Sequence, residues 1–207
     1  MTFVSRLLLA GILAQLAACS STPTVVPDTT EAAVVDNTQT QKTTKEVIDP
    51  NASATYKQAL TTIEQGNNEL AIVILTDMTT RFPQLSGPYT NLGLIHFRDG
   101  DLTKAEAAFR QAININPANA TAHNHLGIIH RHKGQFSEAE KSYLTAIEQQ
   151  ADYANAHLNL AILYDLYLLR LDNALQHYQK FQSLQQTEDS TVKKWIIGLQ
   201  RRLKVSK

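Results

Sequence analysis

The chain has 207 residues, 43% of them hydrophobic, with 19 basic and 19 acidic side chains. That length suits one domain or a short repeat array, and the balanced charge argues against a nucleic-acid binder, which would carry a basic excess. A single cysteine excludes any disulfide within the chain, so stability must come from packing.

The first six residues carry one positive side chain, Arg6, and residues 7–18 (LLLAGILAQLAA) are apolar apart from Gln15. A spanning helix needs about 20 apolar residues, so this segment is too short to cross a bilayer and suits the apolar region of a secretion signal. Leu16, Ala17 and Ala18 close it immediately before Cys19, the one thiol of the chain. The arrangement resembles a bacterial lipoprotein signal with its lipobox. That resemblance implies removal of residues 1–18 and lipid attachment at Cys19. Ser20 stands where an Asp would retain such a protein at the inner membrane, which implies the outer membrane, facing the periplasm. Several acyl chains, at about 0.8 kcal/mol per buried CH₂, hold far more firmly than one.

Residues 19–51 change character: Thr, Ser, Pro, Val and Asp dominate, with no helical period. Such a composition buries too little apolar area to offset its ordering entropy. These residues are expected to form the lipidated N-terminus and a disordered tether, which at about 31 residues has a root-mean-square span of roughly 30 Å.

From Ala52 the chain repeats with a 34-residue period, in blocks 52–85, 86–119, 120–153 and 154–188. Position 7 reads Leu92, Leu126, Leu160, and position 8 reads Ala59, Gly93, Gly127, Ala161. Position 20 is Ala71, Ala105, Ala139; position 24 is Leu75, Phe109, Tyr143; position 27 is Met78, Ala112, Ala146; position 32 is Pro83 and Pro117. Small residues at 8, 20 and 27 let two antiparallel helices approach, and large ones at 7, 11 and 24 fill the space between them. A proline then ends the second helix. The first block is weaker, with Gln58 and Thr62 at positions 7 and 11. The fourth holds one extra residue near residues 166–171, expected to lengthen its first helix.

The pattern closely resembles the tetratricopeptide repeat (TPR) family. The fold expected is all-α, a right-handed TPR solenoid of about four helix pairs. Residues 189–207 complete it as a capping helix and basic tail. Asp189-Ser190 offers an N-cap, and Val192, Trp195, Ile196, Leu199 and Leu203 form one apolar stripe that would cover the last repeat. Lys193, Lys194, Arg201, Arg202, Lys204 and Lys207 occupy the other faces, with no acidic residue after Asp189.

The family resemblance implies peptide binding on the concave face made by the first helices. The positions that usually point there are Thr90, Asn91, Leu94, Phe97 and Arg98 in the second block. In the third they are Asn124, His125, Ile128 and Arg131, and in the fourth Asn155, Asn159 and Ile162. Position 6 reads Asn91, His125, Asn159, similar to the asparagine ladder with which some TPR superhelices grip a peptide backbone. An amide can do this because it both donates and accepts. Thr90 and Leu94 stand where the family's carboxylate clamp would place Lys and Asn, so no chaperone-tail clamp is expected.

Four histidines, His123, His125, His130 and His132, fall on one helix, but His125 and His132 are about 10.5 Å apart along it, too far for one ion. No nucleophile motif, phosphate loop or facing carboxylate pair is present, so no catalytic residue, metal or cofactor is expected. The function implied is a scaffold similar to the type IV pilus assembly and pilotin-like TPR lipoproteins. It would hold a protein segment of an envelope complex and reach the membrane through its N-terminal lipid. The alternative is a structural adaptor. It would self-associate or contact membrane through its basic C-terminal helix and the fourth repeat, with Leu168, Leu169 and Leu171 as anchors. Oligomeric state is left open by the sequence.

Overall fold

The computed structural model of the chain describes residues 49–205. The signal segment, Cys19 and the tether up to residue 48 lie outside the described residues, as does Lys207. Among the described residues there are nine helices and no strand. They are α1 (Pro50–Glu64), α2 (Asn68–Arg81), α3 (Ser86–Arg98), α4 (Leu102–Ile115), α5 (Ala120–His132), α6 (Phe136–Gln149), α7 (Ala154–Leu166), α8 (Leu171–Leu184) and α9 (Ser190–Val205). Consecutive helices α1/α2, α3/α4, α5/α6 and α7/α8 pack as hairpins, and each second helix also packs on the next first helix. The first helices α3, α5 and α7 touch in succession, and α9 packs on α8. The array is an all-α solenoid.

Local chemistry explains where the helices begin. Asp49 accepts the Asn51 N–H at 2.8 Å, and Pro50 presets the backbone of the first turn. Helix α1 therefore starts inside the segment expected to be tether, which is two residues shorter than the composition indicates. Asn67, Asp101 and Asn119 accept the N–H groups of Leu70, Lys104 and Ala122 at 3.2, 3.0 and 3.0 Å. Asp189 caps α9 through Thr191 and Val192 at 2.8 and 3.0 Å.

The first three hairpins turn on a glycine with positive φ, at Gly66, Gly100 and Gly134. The residue after each glycine donates back five residues, as Asn67 does to Thr62. The fourth turn differs. Helix α7 has 13 residues, the same as α3 and α5, so the first helix is not lengthened as expected. The extra residue widens the turn instead: the Arg170 N–H closes back six residues on the Tyr164 carbonyl, and Leu169 takes the left-handed conformation at φ 53°.

The hairpin interiors follow from side-chain size. A Cβ on Gly93 would lie 2.6 Å from the Phe109 ring, and one on Gly127 would lie 2.5 Å from the Tyr143 ring. Both rings are fully buried, as are Ala105, Ala112, Ala139 and Ala146 around them. The largest apolar cluster joins α6, α7, α8 and α9, with Val192 and Leu199 buried in it and Trp195 against Tyr178 at 5.6 Å between ring centroids. Between two of these helices, His157 of α7 meets His177 of α8, Nδ1 to Nδ1, at 2.9 Å. The Nε2–H of His157 donates to the Ala151 carbonyl at 3.2 Å, which leaves its Nδ1 to accept from His177. Burial and the neighbouring His157 push the His177 pKa down to about 4, and burial lowers His157 in the same direction.

Two outcomes follow from this packing. Gly127→Ala should destabilise the array by about 1–3 kcal/mol, because the Tyr143 ring must move from a filled core; urea unfolding measures it. Acidification should also weaken the fold. With the folded pKa of His177 near 4 and the unfolded value near 6.5, the unfolded chain binds the extra proton between these limits. The stabilisation is complete above pH 6.5 and is lost as pH falls towards 4, by about 1–2 kcal/mol once discounted for the partial exposure of His177. Urea midpoints at pH 7 and pH 5 should converge in His177→Gln.

Candidate peptide-binding groove

The 34-residue register puts Leu60, Leu94, Ile128 and Ile162 at one position of the four first helices. Leu60, Leu94 and Ile128 are half-buried, each packed by its inner side on the core and open on the other. Ile162 is 4% exposed and belongs to the cluster that α9 closes. The apolar strip is therefore accessible across the first three repeats and covered at the fourth. Arg202 of α9 reaches back to buried Asp165 at 2.6 Å and ties that cover to α7.

Charge borders the strip. Arg98 is exposed and makes no ion pair among the described residues. The Arg131 guanidinium lies 5.9 Å from the centre of the Tyr167 ring, near the Tyr143 phenol, and its buried Nε–H has no hydrogen-bond partner. No carboxylate pairs with Arg131 among the described residues. A half-buried guanidinium in this state favours an incoming acceptor.

The expected recognition residues divide into two groups. Leu94, Phe97, Arg98, His125, Ile128, Arg131 and Asn155 are half-buried or exposed. Thr90, Asn91, Asn124, Asn159 and Ile162 are buried. Asn91 gives its amide hydrogens to the Tyr56 hydroxyl at 2.6 Å and the Gly87 carbonyl at 3.2 Å. Asn159 donates to Asn124 Oδ1 at 3.0 Å, and Asn119 donates to the Thr90 hydroxyl at 2.7 Å. The supposed asparagine ladder thus runs between repeats, position 6 of one first helix donating to position 5 of the one before. The His125 ring sits between Phe97 and Phe109, at 5.5 and 5.1 Å, with its Nδ1–H on the Thr121 carbonyl at 2.8 Å. Burial lowers its pKa, so it is neutral at pH 7.

A second inter-repeat device escaped the sequence reading. Glu106 on α4 pairs with Lys133 in the next hairpin's turn, and Glu140 on α6 pairs with Arg170 in the turn after that, at 2.6 Å. Glu106 and Glu140 are 34 residues apart, which was the available signal. The first repeat has Ile72 at this position, and an open cleft lined by Gln65, Gly66, Asn68, Glu69, Ile72 and Asp99 lies at that corner. Among the described residues no three metal-ligating side chains converge, and no helix is long and apolar enough to cross a membrane.

The tetratricopeptide-repeat family model matches residues 90–154 and again 126–188. Residues 90–188 carry tetratricopeptide repeats, and the described residues have the tetratricopeptide-repeat fold. No curated protein sequence matches it. Among solved structures, pilF of Pseudomonas aeruginosa is similar with a TM-score of 0.64 and 20% identity, over 74% of this chain and 69% of that one. A thermophilic TPR protein of Thermus thermophilus is similar at 26% identity and a TM-score of 0.57, over 72% of this chain and 80% of that one. The first TPR of Spaghetti (RPAP3), solved bound to an HSP90 peptide, has 16% identity and a TM-score of 0.53, over 58% of this chain and 94% of that one. TPR arrays are protein-interaction scaffolds and generally not enzymes.

The position 5–6 rungs give a direct outcome. Asn91→Ala removes two part-buried hydrogen bonds, one of them the link to Tyr56 of the preceding repeat, so urea unfolding should show a loss of about 1–3 kcal/mol.

Proposed function

We propose that the protein is a lipid-anchored scaffold of the bacterial cell envelope that holds a segment of a partner protein along its first helices. The observation that carries this reading is the accessible strip of Leu60, Leu94 and Ile128 beside the guanidinium groups of Arg98 and Arg131, neither of which is in an ion pair among the described residues. Apolar side chains supply affinity by burial at about 25 cal/mol per Å². The arginines select acceptor-rich or acidic side chains next to them. With both amide hydrogens of Asn91 engaged, one on Tyr56 of the preceding repeat and one on Gly87 of its own helix, the strip and its cations, rather than an amide ladder, would read the ligand.

The lipobox-like residues Leu16-Ala17-Ala18-Cys19 support the anchor and Ser20 supports the outer membrane. A tether between lipid and array confines the groove to a shell near the bilayer and raises its effective concentration towards envelope partners. The likeness to pilF is consistent with service to an assembly such as a pilus or secretion machine. The peptide held by the TPR of RPAP3 shows that this architecture accommodates a protein segment.

Capture from envelope extract tests the groove. Leu94→Gln combined with Arg98→Glu changes one half-open and one exposed side chain, so helicity should persist while the captured partner falls about tenfold or more. Capture unchanged in that variant would sink the reading. The anchor has its own test: labelled palmitate should enter the chain, and Cys19→Ser should abolish both the label and the membrane fractionation.

A further inference from the structure

We propose that the outer face of α9 is a contact surface for an anionic lipid bilayer. Val192, Trp195, Ile196, Leu199 and Leu203 turn one side of this helix to the array. On the opposite side stand Lys194, Ile197, Arg201, Lys204 and Val205, spaced i, i+3, i+7, i+10 and i+11.

The cations of α9 sort by position. Lys193 and Arg202 lie on the flanks and are paired with Glu188 and Asp165 at 2.8 and 2.6 Å. Lys194, Arg201 and Lys204 are exposed on the outer side and make no ion pair among the described residues. The helix dipole explains cations in the last turn but works against those at the N-terminal end, where Lys194 stands. The same face exposes Ile197 at 39% and Val205 at 88%, two apolar side chains set among positive charges. A helix with this face lies in the interfacial plane of a membrane, its cations on lipid phosphates and its apolar residues at the acyl boundary. No acidic residue follows Asp189 to oppose the approach. The surface is independent of the groove, which lies on the first helices.

Cys19 is the single cysteine, so Cys19→Ser with Ile197→Cys leaves one labelling site in the full chain. An environment-sensitive fluorophore there reports contact at α9 itself, whatever the N-terminal segment does. Vesicles of phosphatidylcholine mixed with phosphatidylglycerol should shift its emission to the blue, and pure phosphatidylcholine vesicles should not. High salt should reverse the shift. Adding Lys194→Gln, Arg201→Gln and Lys204→Gln should weaken the apparent partition by on the order of a hundredfold. An equal response to both vesicle types, no response, or a response that survives the three substitutions would overturn the proposal. So would the same shift with soluble polyphosphate and no vesicles, which would assign the face to a free polyanion. Partner capture through the groove is unaffected by any of these outcomes.

Discussion

A side chain no larger than a methyl group at one position per repeat, glycine in the second and third and alanine in the first and fourth, is the constraint on which the array rests. Gly93 and Gly127 let the Phe109 and Tyr143 rings sit where a Cβ would be, 2.6 and 2.5 Å from the ring atoms. That approach brings the two helices of a hairpin close enough for alanines at positions 20 and 27 to disappear from solvent. The fourth hairpin keeps the arrangement with Ala161 against a core holding Tyr178 and Phe181. Because each hairpin closes in the same way, its outer sides repeat too, and successive hairpins meet in one register.

Polar groups then hold that register. Buried amides donate from one first helix to the one before it, as Asn159 does to Asn124. Carboxylates on the second helices hold the turns of the following repeat, as Glu140 does Arg170 and the Tyr164 hydroxyl. Such groups add little net stability compared with apolar burial, yet each penalises a slipped stack by leaving a buried donor or charge unpaired. At the first junction an aliphatic side chain, Ile72, replaces the carboxylate, and an open cleft remains there.

Much of this was legible because packing is periodic. Glycine or alanine at position 8 and aromatic rings at 24 define the hairpins from the sequence alone, and the boundaries at residues 86, 120 and 154 coincide with helix starts. The fourth turn was not legible, since Leu169 carries no glycine signal for its left-handed backbone and only the closure on Tyr164 shows where the extra residue went. Thr90, Asn91 and Asn124 misled for a different reason. A family position states which face a residue occupies on its own helix, whereas their burial is set by the neighbouring repeat. Tyr56 and Asn124, the acceptors at position 5, differ in type, so no pattern announced the rungs.

The division of polar from apolar roles bears on how such a groove can choose a ligand. A ladder of free amides would grip the backbone of any extended chain, because each residue offers the same donor and acceptor. Asn91 is committed elsewhere, and what remains open is a row of apolar side chains one repeat apart with guanidinium groups at its edge. Under the proposed reading, selection would rest on side-chain spacing: a ligand would place apolar groups at the interval between stacked helices, roughly 10 Å, with acceptors between them. A polyproline II segment, with three residues per turn and a rise of about 3.1 Å per residue, returns to one face at about that interval every third residue, and a helical one at every second turn. The strip ends at Ile162, which is 4% exposed within the cluster shared with α9, so its accessible part lies on the first three repeats and the fourth joins the closed end of the stack.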